Sequence, residues 1–595
     1  MATANPGAPT TTDPGRAGRL LLGLASVAVA FAAADTYVVV LSLPDMMASV
    51  GLSVDQLQRA APIVSGFLLG YVAMLPLIGR IADLRGRTPV LVAALLVFAF
   101  GSLVTAAAYD LNSLVAGRFL QGVGGGGLVP VTLALVADLY PADRRGVPLG
   151  VVGAVQELGS VLGPLYGAVV LAFGDWRDIF WINLAVGLVL AAAVASLSLS
   201  GGPDPGSPPH ADGAADAWWR RLDWIGLLLG ALALVAMLLV MRQPDRLVTS
   251  VALGGPFVPF LDGSSRWFSL VGVTTLLLAV AFVVRLLLAT RPLVDVRSWW
   301  GSVREADLVG AGLLSVALGG IILAFATANP EVQVLSPAGP WYLALAAVAT
   351  VLFALHNRRS SKPLVPHQAF ALRPAWGSLA VSFFVGAALI AALVDIPIFA
   401  RVTIAEGDQI KAALVLVEFL VALPVGALIG GWLVRHVPAG LIAAPAMLLS
   451  AVGFQVMAGW GFDSLNQLSS SAVLALTGLG FGLALAPVNA ALLASTEDAV
   501  HGVTSALLVV SRMVGMLVGI SALTTIGLRR YYAVETGIPS PNDVCTGGRT
   551  RCAAYTRLIE QAGVEQLQAI FSGAAVCAVI AAVLAVLLFR GARTR

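Results

Sequence analysis

The chain has 595 residues, of which 58% are hydrophobic and 11% charged, with a mean hydropathy of +0.91 and a net charge of +3. So much apolar surface excludes a soluble globular protein, and so small a net charge gives no support for nucleic-acid binding. Repeated apolar runs of about 20 residues, each able to cross about 30 Å of hydrocarbon, point to a polytopic helical membrane protein.

Residues 1–18 are rich in Ala, Pro, Thr and Gly and read as a disordered cytoplasmic tail. The run behind them is too long for a signal-peptide core and carries Asp35, so it counts as the first span. The first six spans fall at 20–43, 60–78, 90–108, 114–136, 147–172 and 179–199. Between the second and third lies a short arginine-dense loop from Gly79 to Arg87, which the positive-inside rule places in the cytoplasm together with the N-terminus. Arg144 and Arg145, Arg220 and Arg221, and finally Arg590 recur after even-numbered spans, so both termini are expected inside.

A linker at 200–223, marked by Gly, Pro and Asp, leads to four further spans at 224–241, 268–289, 308–327 and 341–355. These read as a duplicated pair. Asp223-Trp224-Ile225-Gly226 opens one and Asp307-Leu308-Val309-Gly310 the other, and each closes on a basic residue followed by Pro-Leu-Val, at 291–294 and 362–365. After a second linker at 358–375 come spans at 376–400, 412–434, 441–459, 472–493, 503–528 and a last one ending near 589. The expected fold is all-α with about sixteen spans: six in 19–199, four in 224–357 and six in 376–595.

Cys545 and Cys552 lie in a polar, arginine-rich segment at 530–562, which is read as a structured extension of the last two helices beyond the membrane. If that segment is extracytoplasmic they are close enough in sequence to form a disulfide, with two free thiols as the alternative. The five histidines sit in loops or at span ends with no metal-ligand spacing, so neither a zinc site nor a histidine relay is expected. There is no nucleotide motif and no nucleophile elbow, which leaves no expected cofactor and no enzymatic activity.

Within the fifth span Gly159, Gly163 and Gly167 recur every four residues beside Pro164, forming one smooth helix stripe where a neighbouring backbone can approach. Glu157 stands about 200° around the helix from Gly159. An acid at such depth costs several kcal/mol unless paired, hydrated or protonated. Arg512 lies at a matching depth, roughly 15 Å from the start of the fifth span of the second half, so the two could meet at mid-membrane. Asp35 and Asp395 occupy the first span of each half nearer its outer end, Arg118 lies in the fourth span, and Glu418 has no obvious partner. Each of these also admits a plainer reading as a static helix tie or a hydrated residue.

Gly79, Asp83, Arg85, Gly86 and Arg87 resemble the loop between the second and third helices of the major facilitator superfamily, with Leu84 where that loop usually has arginine and Thr88 where lysine is common. Residues 114–124 around Arg118 resemble its fourth-helix motif, and 159–167 the fifth-helix motif of its proton-driven exporters. The resemblance implies two six-helix bundles and a loop that acts as a conformational latch. Asp223 and its neighbours resemble the linker of the fourteen-helix drug:proton antiporters, whose span number this chain exceeds.

A narrower resemblance, carried by 35–40, 156–167, 176–183, 393–395 and 512–516, is to the superfamily's mycobacterial triacylglyceride exporters. It implies proton-driven export of a lipid from the bacterial plasma membrane by a monomer working beside a lipid-carrying lipoprotein. Asp35, Glu157 and Arg512 are then the proton-coupling candidates, with Asp395, Arg118 and Glu418 secondary. Multidrug:proton antiport is the alternative within transport; an uncoupled lipid scramblase or a membrane scaffold is the alternative outside it.

Overall fold

The computed structural model of the chain describes residues 15–52, 57–199, 223–250, 254–260, 265–290, 292–326, 338–366, 369–404, 409–545 and 552–592. Most of the expected tail and of the first linker lies outside the described residues. Among those described, fifteen helices are long and apolar enough to cross a membrane. The helix Gly146–Phe173, with 28 residues, brings the number of that length to sixteen. The protein is a multi-pass, all-helical membrane protein.

The first six are α1 (Arg16–Ser49), α2 (Leu57–Arg85), α3 (Arg87–Ala107), α4 (Leu111–Leu139), α5 (Gly146–Phe173) and α6 (Trp176–Leu199). Four follow, α7 (Trp224–Arg242), α8 (Leu270–Leu288), α9 (Leu308–Ala326) and α10 (Gly339–Arg359). The last six are α11 (Arg373–Thr403), α12 (Gln409–Leu433), α13 (Ala439–Met457), α14 (Leu468–Leu493), α15 (His501–Glu535) and α16 (Ala553–Leu588).

Glycine pairs set the packing of both six-helix halves, and they do so at equivalent places. In the first half Gly159 and Gly163 of α5 lie against the carbonyls of Ala30 and Ala34 on α1, and Gly122 and Gly126 of α4 against those of Phe67 and Tyr71 on α2. In the second, Gly515 and Gly519 of α15 lie against Phe383 and Ala387 on α11, and Gly478 and Gly482 of α14 against Phe419 and Leu423 on α12. In every case a Cβ would overlap a backbone oxygen, so only glycine allows this approach.

The halves meet through α2 against α15 and α5 against α12. Gly79 faces the Gly502 carbonyl, and Gly146 and Gly150 face the carbonyls of Gly431 and Ala427. All of these lie toward the end of the molecule that carries Asp83 and Arg87, here called the latch end. The apolar cluster shared by the halves comes from the same end, with Ile81, Leu149 and Val152 joined by Val434, Ala490, Ala506 and Val510. At the opposite end the cluster around Val38, Met46, Ile63 and Phe180 is built of first-half residues alone.

The four central helices form two like hairpins. Asp223 caps α7 by accepting from Gly226 N–H at 3.1 Å and is gripped by Arg285 of α8 at 2.9 Å. Asp307 caps α9 by accepting from Gly310 N–H at 3.0 Å and meets His356 Nε2 of α10 at 2.8 Å. The short sequence repeat is thus a repeated clasp, in which an N-capping acid holds the basic end of the returning helix. Hydrogen bonds from Arg285 hold the Asp223 carboxyl below the usual carboxylate range. The second hairpin packs on α2, where Ser315 Oγ donates to the Ala73 carbonyl at 2.7 Å. The first touches α3 through Met241 against Val104 and Ala107.

One element differs from expectation. The stretch between the eighth and ninth spans, with Arg297 and Arg304, contains an amphipathic helix, Val296–Glu305. The polar segment 530–562 extends the last two helices. With 35 and 36 residues, α15 and α16 are about 52 and 54 Å long by helical rise, well beyond a hydrocarbon core of about 30 Å. They project past the end opposite the latch and are tied by Arg530 to Glu565 at 2.6 Å, and a Cys545–Cys552 disulfide links the end of the short helix Pro541–Val544 to the start of α16.

Candidate functional site

The glycine stripe of α5 fixes α1, and this positions Asp35 one residue beyond the Ala34 contact. Arg118 of α4 donates to Asp35 at 2.7 Å and to Gln121 Oε1 at 2.7 Å. Gln121 in turn donates to Asp35 at 3.3 Å and to Ser102 Oγ of α3 at 2.8 Å, while Asn183 Nδ2 of α6 donates to the same carboxylate. Gly101 makes the α3–α4 link possible, because its missing side chain admits the Gln121 backbone. The Arg118 guanidinium sits 4.4 Å from the Phe67 ring centre and 5.7 Å from that of Phe180. The Tyr166 hydroxyl of α5 extends the set by donating to the Ile179 carbonyl at 3.1 Å, beside Asn183. Asp35 and Arg118 are each 1% exposed, so this is a dry ion pair supported by the amides of Gln121 and Asn183, with the Arg118 Nε left without a hydrogen-bond partner.

A second charged group lies between the halves. Glu157 on α5, Arg512 on α15 and Tyr71 on α2 are 7%, 8% and 7% exposed. Arg512 stands three residues before Gly515, the place Gln156 occupies before Gly159, so Arg512 and Glu157 are one position apart in the approximate repeat of the two halves. Arg512 acts through space on both Glu157 and Tyr71. Among the described residues, neither the Glu157 nor the Arg512 side chain has a hydrogen bond or an ion pair within 4.0 Å. Arg512 instead lines a cavity with Ser382, Asn489 and the apolar side chains of Val385, Leu485 and Leu508.

The expected charge network is therefore two sites. Asp35 belongs with Arg118, and the structure does not bring it to Arg512. Asp395 is buried in α11 with no side-chain partner among the described residues. Glu418 is exposed on α12, on the face that also shows Leu414, Val421 and Val425.

The latch end carries a third cluster. Asp83 pairs with Arg87 and accepts from the Gly502 and Val503 N–H groups at 2.8 and 3.1 Å, serving as a cap for α15 supplied by the other half. These are orphan donors of a helix start, where a negative charge is favoured. Arg87 also reaches Asp138 at 3.1 Å, and Arg145 lies 3.6 Å from Asp498. Gly86 takes φ 95°, which lets the chain reverse between α2 and α3 without strain.

Gln121, Asn183, Ser102, Tyr71 and Asp138 were not singled out from sequence. Gln121 and Asn183 lie inside stretches that carried the family resemblance, but an amide in an apolar run announces no partner. Tyr71 gave no signal beyond sitting one turn after Phe67.

Residues 25–520 match the family described as the Major Facilitator Superfamily. A protein of Mycobacteroides abscessus named triacylglyceride transporter is 34% identical over 540 residues, covering 88% of this chain and 86% of the relative. One of Mycobacterium tuberculosis with the same name is 33% identical over 589 residues, covering 96% and 95%. Among solved structures, a human organic anion transporter superposes with a TM-score of 0.53 at 13% identity, covering 96% of this chain and 99% of that one. A proton:xylose symporter gives 0.50 at 12%, covering 95% and 94%. These two bear on the fold alone.

Proposed function

This chain belongs to the major facilitator superfamily and is a membrane transporter, and from that footing we propose that it exports a triacylglyceride-like lipid by proton-coupled alternating access. The observation that carries the mechanism is Glu157, a buried carboxyl without a side-chain partner among the described residues, on a helix that packs against the other half. The substrate class rests on the relatives named triacylglyceride transporters, which match along most of both chains.

In this reading the latch end is cytoplasmic, as its arginine density favours, and the open side faces outward from a bacterial plasma membrane. A proton entering from outside neutralises Glu157. The protonated acid no longer attracts Arg512, and the halves rock so that the latch opens and the outer ends close. Release of the proton inside restores the charge and the outward-open state. Each proton contributes about 2.3 kcal/mol per 100 mV of membrane potential. Asp35 and Arg118 hold α1, α3, α4 and α6 together, and the glycine stripe fixes α5 to α1, so the first half rocks as one frame that carries Glu157. The exporter works as a monomer and passes its lipid to an extracytoplasmic lipid-carrying protein.

The test is movement of a fluorescent triacylglyceride out of proteoliposomes with and without an imposed proton gradient. Gradient-driven movement abolished by a protonophore is expected. Lipid movement indifferent to the gradient would point to a scramblase, and gradient-driven movement of cationic dyes without lipid to a drug antiporter.

A further inference from the structure

The helix Val296–Glu305 links the two central hairpins at the latch end and has two working faces. Trp299 and Val303 pack onto the core that holds α2. Arg85, the last residue of α2, lays its guanidinium 4.4 Å from the Trp299 ring centre and donates to Ser298 Oγ at 2.6 Å. Asp307, in the left-handed region at φ 58°, turns the chain from this helix into α9, and Lys362 fastens its end by pairing with Glu305 at 2.7 Å. The helix is thus clamped to the residue that adjoins Asp83 and Arg87.

The other face is unpartnered. Trp300 is 56% exposed, and Arg297 and Arg304, both exposed, fall within about 60° of it around the helix. An open indole flanked by two cations, on a helix joining the ends of two spans, matches the interfacial depth of a bilayer, where Trp settles and basic side chains meet phosphates. Water alone gives no reason to display that indole.

We infer that Val296–Glu305 is a binding site for anionic phospholipid headgroups, and that its occupancy favours the closed latch. Arg297 and Arg304 take the phosphate, Trp300 sits among the acyl ends of the headgroup region, and Trp299 passes the restraint to Arg85 and α2. The inference rests on the reading of the Asp83 cluster as a gate, but its test needs no substrate and no proton gradient.

The full-length protein is placed in nanodiscs of phosphatidylcholine with and without phosphatidylglycerol. Native mass spectrometry reads the phosphatidylglycerol retained, and spin labels across the outer mouth read the latch. With about 1 kcal/mol for each cation near an anionic surface, R297Q/R304Q loses roughly 30-fold in preference for the anionic lipid, whereas R358Q/R359Q, an equal loss of charge on α10, loses far less. In the wild type, phosphatidylglycerol enlarges the latch-closed population; in Arg85→Ala it is retained but no longer does so. Equal retention by R297Q/R304Q and wild type overturns the site, including the case where the face instead holds a soluble acidic partner. Normal retention with a wild-type latch population indifferent to the lipid overturns the coupling.

Discussion

Replacing Asp83 with Asn strips the charge from the point where α15 is tied to the first half. One carboxylate there serves the Gly502 and Val503 N–H groups, at 2.8 and 3.1 Å, and the Arg87 guanidinium. An amide keeps one acceptor oxygen and turns an NH2 toward a donor, so at least one charge-assisted bond is lost, at about 1.5–3 kcal/mol. Removing an anion from the start of α15 adds about 0.3–1 kcal/mol. The sum, about 2–4 kcal/mol, shifts the equilibrium against the latch-closed state by roughly 30- to 700-fold. Phe173 and Leu468, 91% and 88% exposed at the outer ends of α5 and α14, take spin labels after Cys577→Ala, and pulsed dipolar spectroscopy measures the gap between halves. Wild type gives a mainly long distance, and Asp83→Asn shifts the population to a shorter one. Identical distributions would refute the claim that this cluster holds the observed state.

Arg118→Met strands the buried Asp35 carboxylate and should cost about 3–5 kcal/mol, seen as a large fall in melting temperature in detergent; melting at the wild-type temperature would mean the pair is not a dry tie. Gly159→Leu drives a side chain into the Ala30 carbonyl and should destabilise by more than the about 1–3 kcal/mol of ordinary overpacking. Gly153→Ala, whose Cβ would meet Ala427 Cβ at 3.8 Å, should melt like wild type. Cys545→Ser opens a loop closed across seven residues, a loss of about 2–3 kcal/mol confined to the tip. Limited proteolysis should then cut the α15–α16 tip sooner while the melting of the membrane body stays unchanged.

The span number, the halves and the duplicated centre were legible because hydropathy and short glycine or Asp-x-x-Gly spacings are local signals. Gly159, Gly163 and Gly167 announced a close helix contact, though not that α1 would be the partner. Pairings across the chain were not legible in that way. Asp35 and Arg118 are separated by 83 residues, and the family resemblance grouped Asp35 with Arg512, whereas the fold gives it to α4. The helix Val296–Glu305 was hidden because its arginines and serines, read without their angular order, look like an ordinary basic loop.

The central claim is that Glu157 couples lipid export to protons, and the most direct test separates coupling from passage. Glu157→Gln and wild type are compared in proteoliposomes for net gradient-driven movement of triacylglyceride and for exchange of labelled against unlabelled lipid without a gradient. Glu157→Gln should lose the gradient-driven movement and keep exchange, because a permanently neutral residue lets the halves rock but carries no proton. Gradient-driven export at the wild-type rate in Glu157→Gln would contradict the account.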